Sequence, residues 1–407
     1  MSFERLIARR FLQKDKGNFS RPLIRIATCS IALGVLVVVV AVAILRGFQD
    51  EITQKIVGFG SHIVVTPFES ANNYYEQLPI IADESTTYKI SAVDGVKHVQ
   101  YFASKGGMVK TGDKIQGVIF KGIDKDFDST FFKTNMKEGR LFELTDSAIS
   151  NEVIVSQRFA DKMQLGMGDK LPTYFWQNNT YRARAFKIVG IYSTDLTEFD
   201  ERYVIVDIRQ VQRINGWDSN QVQGYEVFVK DFENLDEVAS QVYYLVGSFL
   251  NVRTVKEENP ETFSWLDLLN TNIWLILGVM SLVCVVAVIS ALLIMIFEKT
   301  PMVGLLKTMG ATNASIRKIF IYKSIGIIAK GVLIGDAIAL AICILQDRFK
   351  IVKLDSESYH MSAVPIDLNP WIFVLVSFVI AVVCLSALLI PASYIARINP
   401  AKAVKTE

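Results

Sequence analysis

Apolar positions gather in four runs, at about 26–45, 273–297, 319–345 and 371–390, while polar residues dominate most of the chain between them. Each run holds 20 or more residues. At about 1.5 Å per residue, that is enough to cross a hydrocarbon core roughly 30 Å thick. A long polar segment separates the first run from the second, whereas the last three follow closely. The pattern predicts a membrane protein with four transmembrane α-helices and a large α+β domain inserted between helices 1 and 2. A soluble protein with four buried core helices fits poorly with a mean hydropathy of +0.31.

Within the inserted segment the period changes to that of strands. The stretches 62–68, 115–120, 153–155, 183–192, 202–206 and 224–229 read as strands, and 84–92, 156–164, 207–214 and 233–248 as helices. Leu165, Gly166, Gly168 and Asp169 predict a tight turn into a further strand. Helical stalks are expected at both ends. Phe48, Ile52, Ile56 and Phe59 lie on one stripe past the first run, and Asn259-Pro260-Glu261 reads as the start of a helix leading into the second.

Charge sets the orientation. Residues 47–268 carry 32 acidic and 23 basic residues, whereas 1–25, 298–318 and 391–407 together carry 14 basic and 4 acidic. Lys and Arg excess beside membrane ends marks the cytoplasmic side. The expected layout is a cytoplasmic amphipathic segment 1–21, helix 1 at 22–46, an outer domain with stalks at 47–268 and helix 2 at 272–297. A cytoplasmic loop at 298–318, helix 3 at 319–345, an outer loop at 346–370, helix 4 at 371–390 and a cytoplasmic tail at 391–407 complete it. The leader reads as an uncleaved signal anchor, because no small-x-small cleavage site follows the first run. Phe3, Leu6, Ile7 and Phe11 recur at helical spacing, which suits a short helix lying on the inner membrane surface, an ordinary helix packed on protein being the alternative.

Candidate chemistry is sparse. Cys29, Cys284, Cys343 and Cys384 all fall in the apolar runs, and His62, His98 and His360 are scattered, so neither a disulfide scaffold nor a structural metal is expected. The nearest approach to a phosphate-binding loop, Gly107…Gly112-Asp113-Lys114, places a carboxylate where a lysine is needed. There is no Gly-x-Ser-x-Gly elbow and no His-Glu-x-x-His helix. No catalytic residue, bound cofactor or nucleic-acid partner is expected of this chain.

Near the middle of the third run stand Lys330 and Asp336, with Gly331 and Gly335 as a small-xxx-small pair. Six residues is about 120° of helix, so the two charges do not stack on one face. Two readings stay open: a polar spot in a transmembrane cavity, or a packing device at a helix interface.

The segment Glu298–Thr312 is the most specific in the chain. Thr300 suits an N-cap, Pro301 a first helical position and Gly310 a left-handed exit. Met302, Leu305, Leu306 and Met309 fall at i, i+3, i+4 and i+7, one apolar stripe of a short helix. Such a helix suits either a lipid surface or a groove on a partner.

That segment resembles the coupling element of the FtsX-like/MacB-like ABC transporter permeases, at Glu298, Lys299, Gly304, Leu305, Leu306, Lys307, Met309, Gly310 and Ala311. Met302 stands where the family usually has an acidic residue. The stretches 32–52, 60–65, 152–171, 252–268 and 391–407 resemble the lipoprotein-releasing LolC/LolE branch. The resemblance implies a MacB-like periplasmic core domain, the inner membrane of a Gram-negative bacterium, and a second permease copy or paralogue. It also implies a separate pair of ABC ATPase subunits (LolD-like) that hold the ATP and Mg, a lipoprotein substrate and a periplasmic carrier. The same superfamily includes MacB-like exporters of peptides or small molecules and FtsX-like regulators of a cell-wall hydrolase, and these are the alternatives.

Overall fold

The computed structural model describes residues 20–68, 78–145, 148–177, 180–247, 249–355, 359, 361–389 and 391. The expected surface helix near the N-terminus and the tail beyond 391 lie outside the described residues, as does His360. In chain order the elements begin with α1 (Ser20–Phe59), β1 (Ile63–Pro67), β2 (Ile80–Ile81), α2 (Glu84–Ser91), β3 (Val96–Thr111), β4 (Lys114–Ile123), α3 (Thr130–Thr134) and β5 (Met136–Gly139). Then come β6 (Glu152–Ser156), α4 (Gln157–Met163), β7 (Lys170–Gln177), β8 (Thr180–Tyr192), α5 (Thr197–Arg202), β9 (Tyr203–Asp207) and α6 (Ile208–Asn215). They are followed by β10 (Gln221–Val222), β11 (Gly224–Val229), α7 (Leu235–Val246), β12 (Leu250–Thr254) and α8 (Val255–Glu258). The last are α9 (Pro260–Glu298), α10 (Thr300–Thr308), α11 (Asn313–Phe349) and α12 (Pro370–Ala387).

The chain forms two compact units. One comprises Met1–Gln49, Trp265–Val352 and Val364–Glu407; the other comprises Asp50–Ser264 and Lys353–Ala363. The second unit therefore draws a short piece from the expected outer loop 346–370, closed on itself by the Lys353–Ala363 bridge.

Among the described residues α1, α9, α11 and α12 are long and apolar enough to cross a membrane, and most of each lies in the first unit. Their shared core includes Ile31, Val35 and Val39 of α1, Val288 and Leu292 of α9, Ile327 of α11 and Ile380 of α12. Gly47 does not break α1. A Cβ there would stand 2.8 Å from the Asp367 nitrogen, so the missing side chain admits the backbone before α12, and Asp367 N–H donates to the Ala43 carbonyl at 3.0 Å. The helix runs on unbroken to Phe59.

The second unit is built on a ten-stranded sheet among the described residues, in the order β12-β1-β11-β3-β4-β9-β6-β8-β5, with β7 pairing β3 and β8. Pairing is antiparallel except for β4 with β9 and β6 with β8. Buried Phe120, Phe175 and Phe186 pack with Val155, Phe159 and Val211 to join strands to α4 and α6. The turn at Gly166–Asp169 forms as the sequence predicts: Asp169 accepts from Gly166 N–H at 2.8 Å, Gly168 takes φ +84°, and β7 begins at Lys170. The Gly112-Asp113 pair is the turn of the β3–β4 hairpin, with Thr111 opposite Lys114 and Gly112 at φ +58°. A strand reversal accounts for its glycine.

Candidate functional site

The short helix α10 is fixed at both ends by local chemistry. One residue, Lys299, separates it from α9, and the hydrogen bonds from Lys299 N–H to the Met295 carbonyl and from Val303 N–H to the Lys299 carbonyl carry the helical ladder across the joint. The expected N-cap is corrected here. Lys299 occupies the cap position, and the Thr300 hydroxyl donates back to the Ile296 carbonyl at 3.0 Å. With α9 directly upstream, that carbonyl is within reach, so Thr300 extends the preceding helix rather than capping a new one.

The other end closes as a Schellman motif. Gly310 takes φ +91°, its N–H donates to the Lys307 carbonyl at 3.1 Å, and Ala311 N–H donates to the Leu306 carbonyl at 2.9 Å. Thr312 then caps α11 by accepting from Ser315 N–H at 3.2 Å. α10 is thus a rigid corner piece between two long helices.

Its faces divide unevenly. Val303 is fully buried with Ile296, Ile316 and Phe320, and Leu306 packs at the edge of that cluster. Met302 is half-buried, whereas Leu305 is 57% and Met309 76% exposed. The apolar stripe is therefore not a single docked face: Pro301, Leu305 and Met309, at i, i+4 and i+8, form an outward ridge in this protomer. Glu298, Lys299 and Lys307 are half-buried beside it. Sequence reasoning missed Val303, which does the anchoring. The signal was present, because Val288, Leu292 and Ile296 continue at i+7 into Val303.

In α11, Gly331 and Gly335 face α1. A Cβ on Gly331 would lie 2.8 Å from the Ile31 Cβ, and one on Gly335 would lie 2.6 Å from the Ala32 carbonyl oxygen. Asp336 is half-buried and accepts from the Ser377 hydroxyl of α12 at 2.5 Å. Lys330 is exposed. The structure thus brings Gly331, Gly335 and Asp336 to helix interfaces and leaves Lys330 apart from them.

The chain matches the family model of the MacB-like periplasmic core domain over residues 26–243 and that of the FtsX-like permease C-terminal over residues 274–400. It is similar to the lipoprotein-releasing system transmembrane protein LolC of Xylella fastidiosa, at 21% identity over 98% of this chain and 98% of that one. It is similar to LolE of Haemophilus influenzae at 23% identity, over 96% of this chain and 97% of the relative. The uncharacterized ABC transporter permease YknZ of Bacillus subtilis is 22% identical over 76% of this chain and 79% of its own. With one family model spanning more than half of its residues and relatives aligned over nearly its whole length, this chain belongs to the FtsX-like/MacB-like family of ABC transporter permeases.

Proposed function

We infer that this chain is the permease subunit of an ATP-driven machine that releases lipoproteins from the inner membrane to a periplasmic carrier. The observation that carries this reading is similarity to lipoprotein-releasing permeases over 98% of the chain, together with an apolar ridge mounted on a rigid corner between α9 and α11. In this reading 50–264 is periplasmic, both termini and α10 are cytoplasmic, and ATP with Mg sits on a separate ATPase dimer. A second permease, identical or paralogous, completes the membrane part.

The coupling follows from stiffness. An ATPase that closes on nucleotide pushes Leu305 and Met309. Because Val303 locks α10 to Ile316 and Phe320, the helix moves with the ends of α9 and α11 rather than swivelling alone. α9 spans 39 residues, roughly 58 Å at about 1.5 Å per residue, and carries that motion away from the cytoplasmic end. Glu298, Lys299, Met302, Leu306, Lys307 and Gly310 support the ridge by completing the corner. Lifting an acylated substrate must offset about 0.8 kcal/mol for each CH₂ that leaves lipid, which is why nucleotide energy is required.

The reading is tested by placing photo-crosslinkers along α1 and α9 in cells and identifying what they capture. Acylated lipoproteins are the predicted adducts. Capture of secreted peptides or of a cell-wall hydrolase alone would replace this reading with that of an exporter or a regulator.

A further inference from the structure

We propose that Lys330 and the notch at Gly326 form a site on α11 for the phosphodiester of an anionic phospholipid, in the leaflet nearer the N-terminus of that helix. The proposal rests on the reading of α1 and α11 as membrane spans.

The depth of Lys330 can be measured against α1. Gly331 approaches Thr28 and Ile31, and Gly335 approaches Ala32 and Val35, so the two helices run in the same direction with a register offset near 300. Arg25, the last charged residue before the apolar run of α1, then stands level with about residue 325 of α11. Lys330 lies only some five residues deeper, roughly 7 Å at about 1.5 Å per residue. That is shallow enough for a long side chain to return its ammonium to the headgroup region.

Local geometry favours that return. A helical Cα–Cβ bond tilts toward the helix N-terminus, and the side chain covers the turn before it. In that turn, at i−4, stands Gly326, and a Cβ there would meet nothing within 4 Å. The lysine stem can therefore lie along bare helix. Exposed Tyr322, at i−8, puts an aromatic ring with a hydroxyl where such rings settle at membrane interfaces.

No described residue neutralises Lys330, which makes neither a hydrogen bond nor an ion pair among them. Asp336, the nearest carboxylate in sequence along α11, is turned about 120° around the helix and engaged by Ser377 at 2.5 Å. The next turn on the Lys330 side presents exposed Leu333 and Ile334, a surface for acyl chains. Cation, notch and interfacial ring on the shallow side, with apolar side chains on the deep side, match the order of phosphate and acyl chain in a phospholipid. Basic positions of this kind recruit anionic headgroups.

The test is native mass spectrometry of the full-length chain, purified in mild detergent with whatever subunits accompany it and offered equimolar phosphatidylglycerol and phosphatidylcholine. The wild-type chain should retain phosphatidylglycerol about fivefold over phosphatidylcholine. Lys330→Leu should bring the ratio to parity and Lys330→Arg should preserve it. Gly326→Leu should abolish the preference with the charge intact. An unchanged ratio in either Lys330→Leu or Gly326→Leu overturns the proposal. So does displacement of the lipid by excess inorganic phosphate, which would indicate a free-anion site, or a crosslink from position 330 to a second permease chain in place of lipid. The lipid ratio is read without transport, so an ATPase that fails to co-purify would count against the permease reading and not against this site.

Discussion

Lys121 and Glu226 form an ion pair 2.6 Å long, with each side chain 4% exposed, in the middle of the sheet. They sit on β4 and β11, and β3 between them supplies Gln100, whose amide donates to the other Glu226 oxygen at 2.7 Å. The Lys121 ammonium also donates to the carbonyl of Phe59, the last residue of α1. A cation at a helix C-terminus is favourable for the dipole as well as for the open carbonyl. The Phe59 ring is enclosed by Phe131, Phe132, Tyr192, Phe199 and Tyr203, with centroids 5.1 to 5.9 Å away. The Phe59 end of α1 is thereby held to the sheet by one charge and a ring of aromatics.

Removing one member of that pair leaves the other buried and uncompensated. Lys121→Met should cost about 3–5 kcal/mol, and Lys121→Met with Glu226→Leu should recover much of the loss. Denaturant unfolding of the full chain in detergent, followed by the sheet signal, measures both. A single variant within about 1 kcal/mol of wild type would show that the pair does not hold the structure.

His62 gives the domain a pH response. Burial, and then the positive charge of Lys97, hold its imidazole down to about 4 from the usual 6.5. Its Nδ1 accepts from Val229 N–H at 3.3 Å, a role the protonated ring cannot fill. Because the folded value is depressed, the unfolded chain binds the extra proton first. The contribution is therefore intact above pH 6.5 and lost as pH falls toward about 4, by up to about 3 kcal/mol. His62→Asn keeps an acceptor in place without titrating, so stability measured between pH 4 and 7 should fall less steeply than in wild type.

Gly335→Ala would drive a methyl into the Ala32 carbonyl oxygen, a backbone atom that cannot rotate away. Overpacking of this kind costs about 1–3 kcal/mol. Gly326→Ala meets open space and should be neutral or slightly stabilising through helix propensity. Thermal unfolding of the two variants side by side separates close α1–α11 packing from a general intolerance of change in α11.

How far the residues disclose the structure depends on how local each signal is. The four long helices, the Pro260 start, the Gly310 exit and the turn at Gly166–Asp169 rest on neighbours within a few positions, and all were readable. The 16-residue β3 was not, because Gln100, Ser104 and Lys105 interrupt its apolar pattern although all three are buried. The groups that satisfy them are far away in the chain: Gln100 meets Glu226, and Ser104 donates to Gln223 through both its N–H, at 2.7 Å, and its hydroxyl, at 2.6 Å. The Lys121 clamp on Phe59 was hidden for the same reason. In α10 the periodicity of Met302, Leu305, Leu306 and Met309 was visible, but which members point inward depended on the phase of α9.

The role of α10 as the ATPase-docking corner is tested most directly by co-purification from mild detergent of wild type and of a Leu305→Asp, Met309→Asp double variant, with identification of every accompanying chain. Both positions are exposed, so the variant should keep the thermal stability of the wild type. An ABC ATPase subunit should accompany the wild-type chain, with at least a tenfold loss of it from the variant, equivalent to about 1.4 kcal/mol or more of binding. Equal recovery of the ATPase with both chains, or ATP hydrolysis by the purified polypeptide alone, would contradict that role.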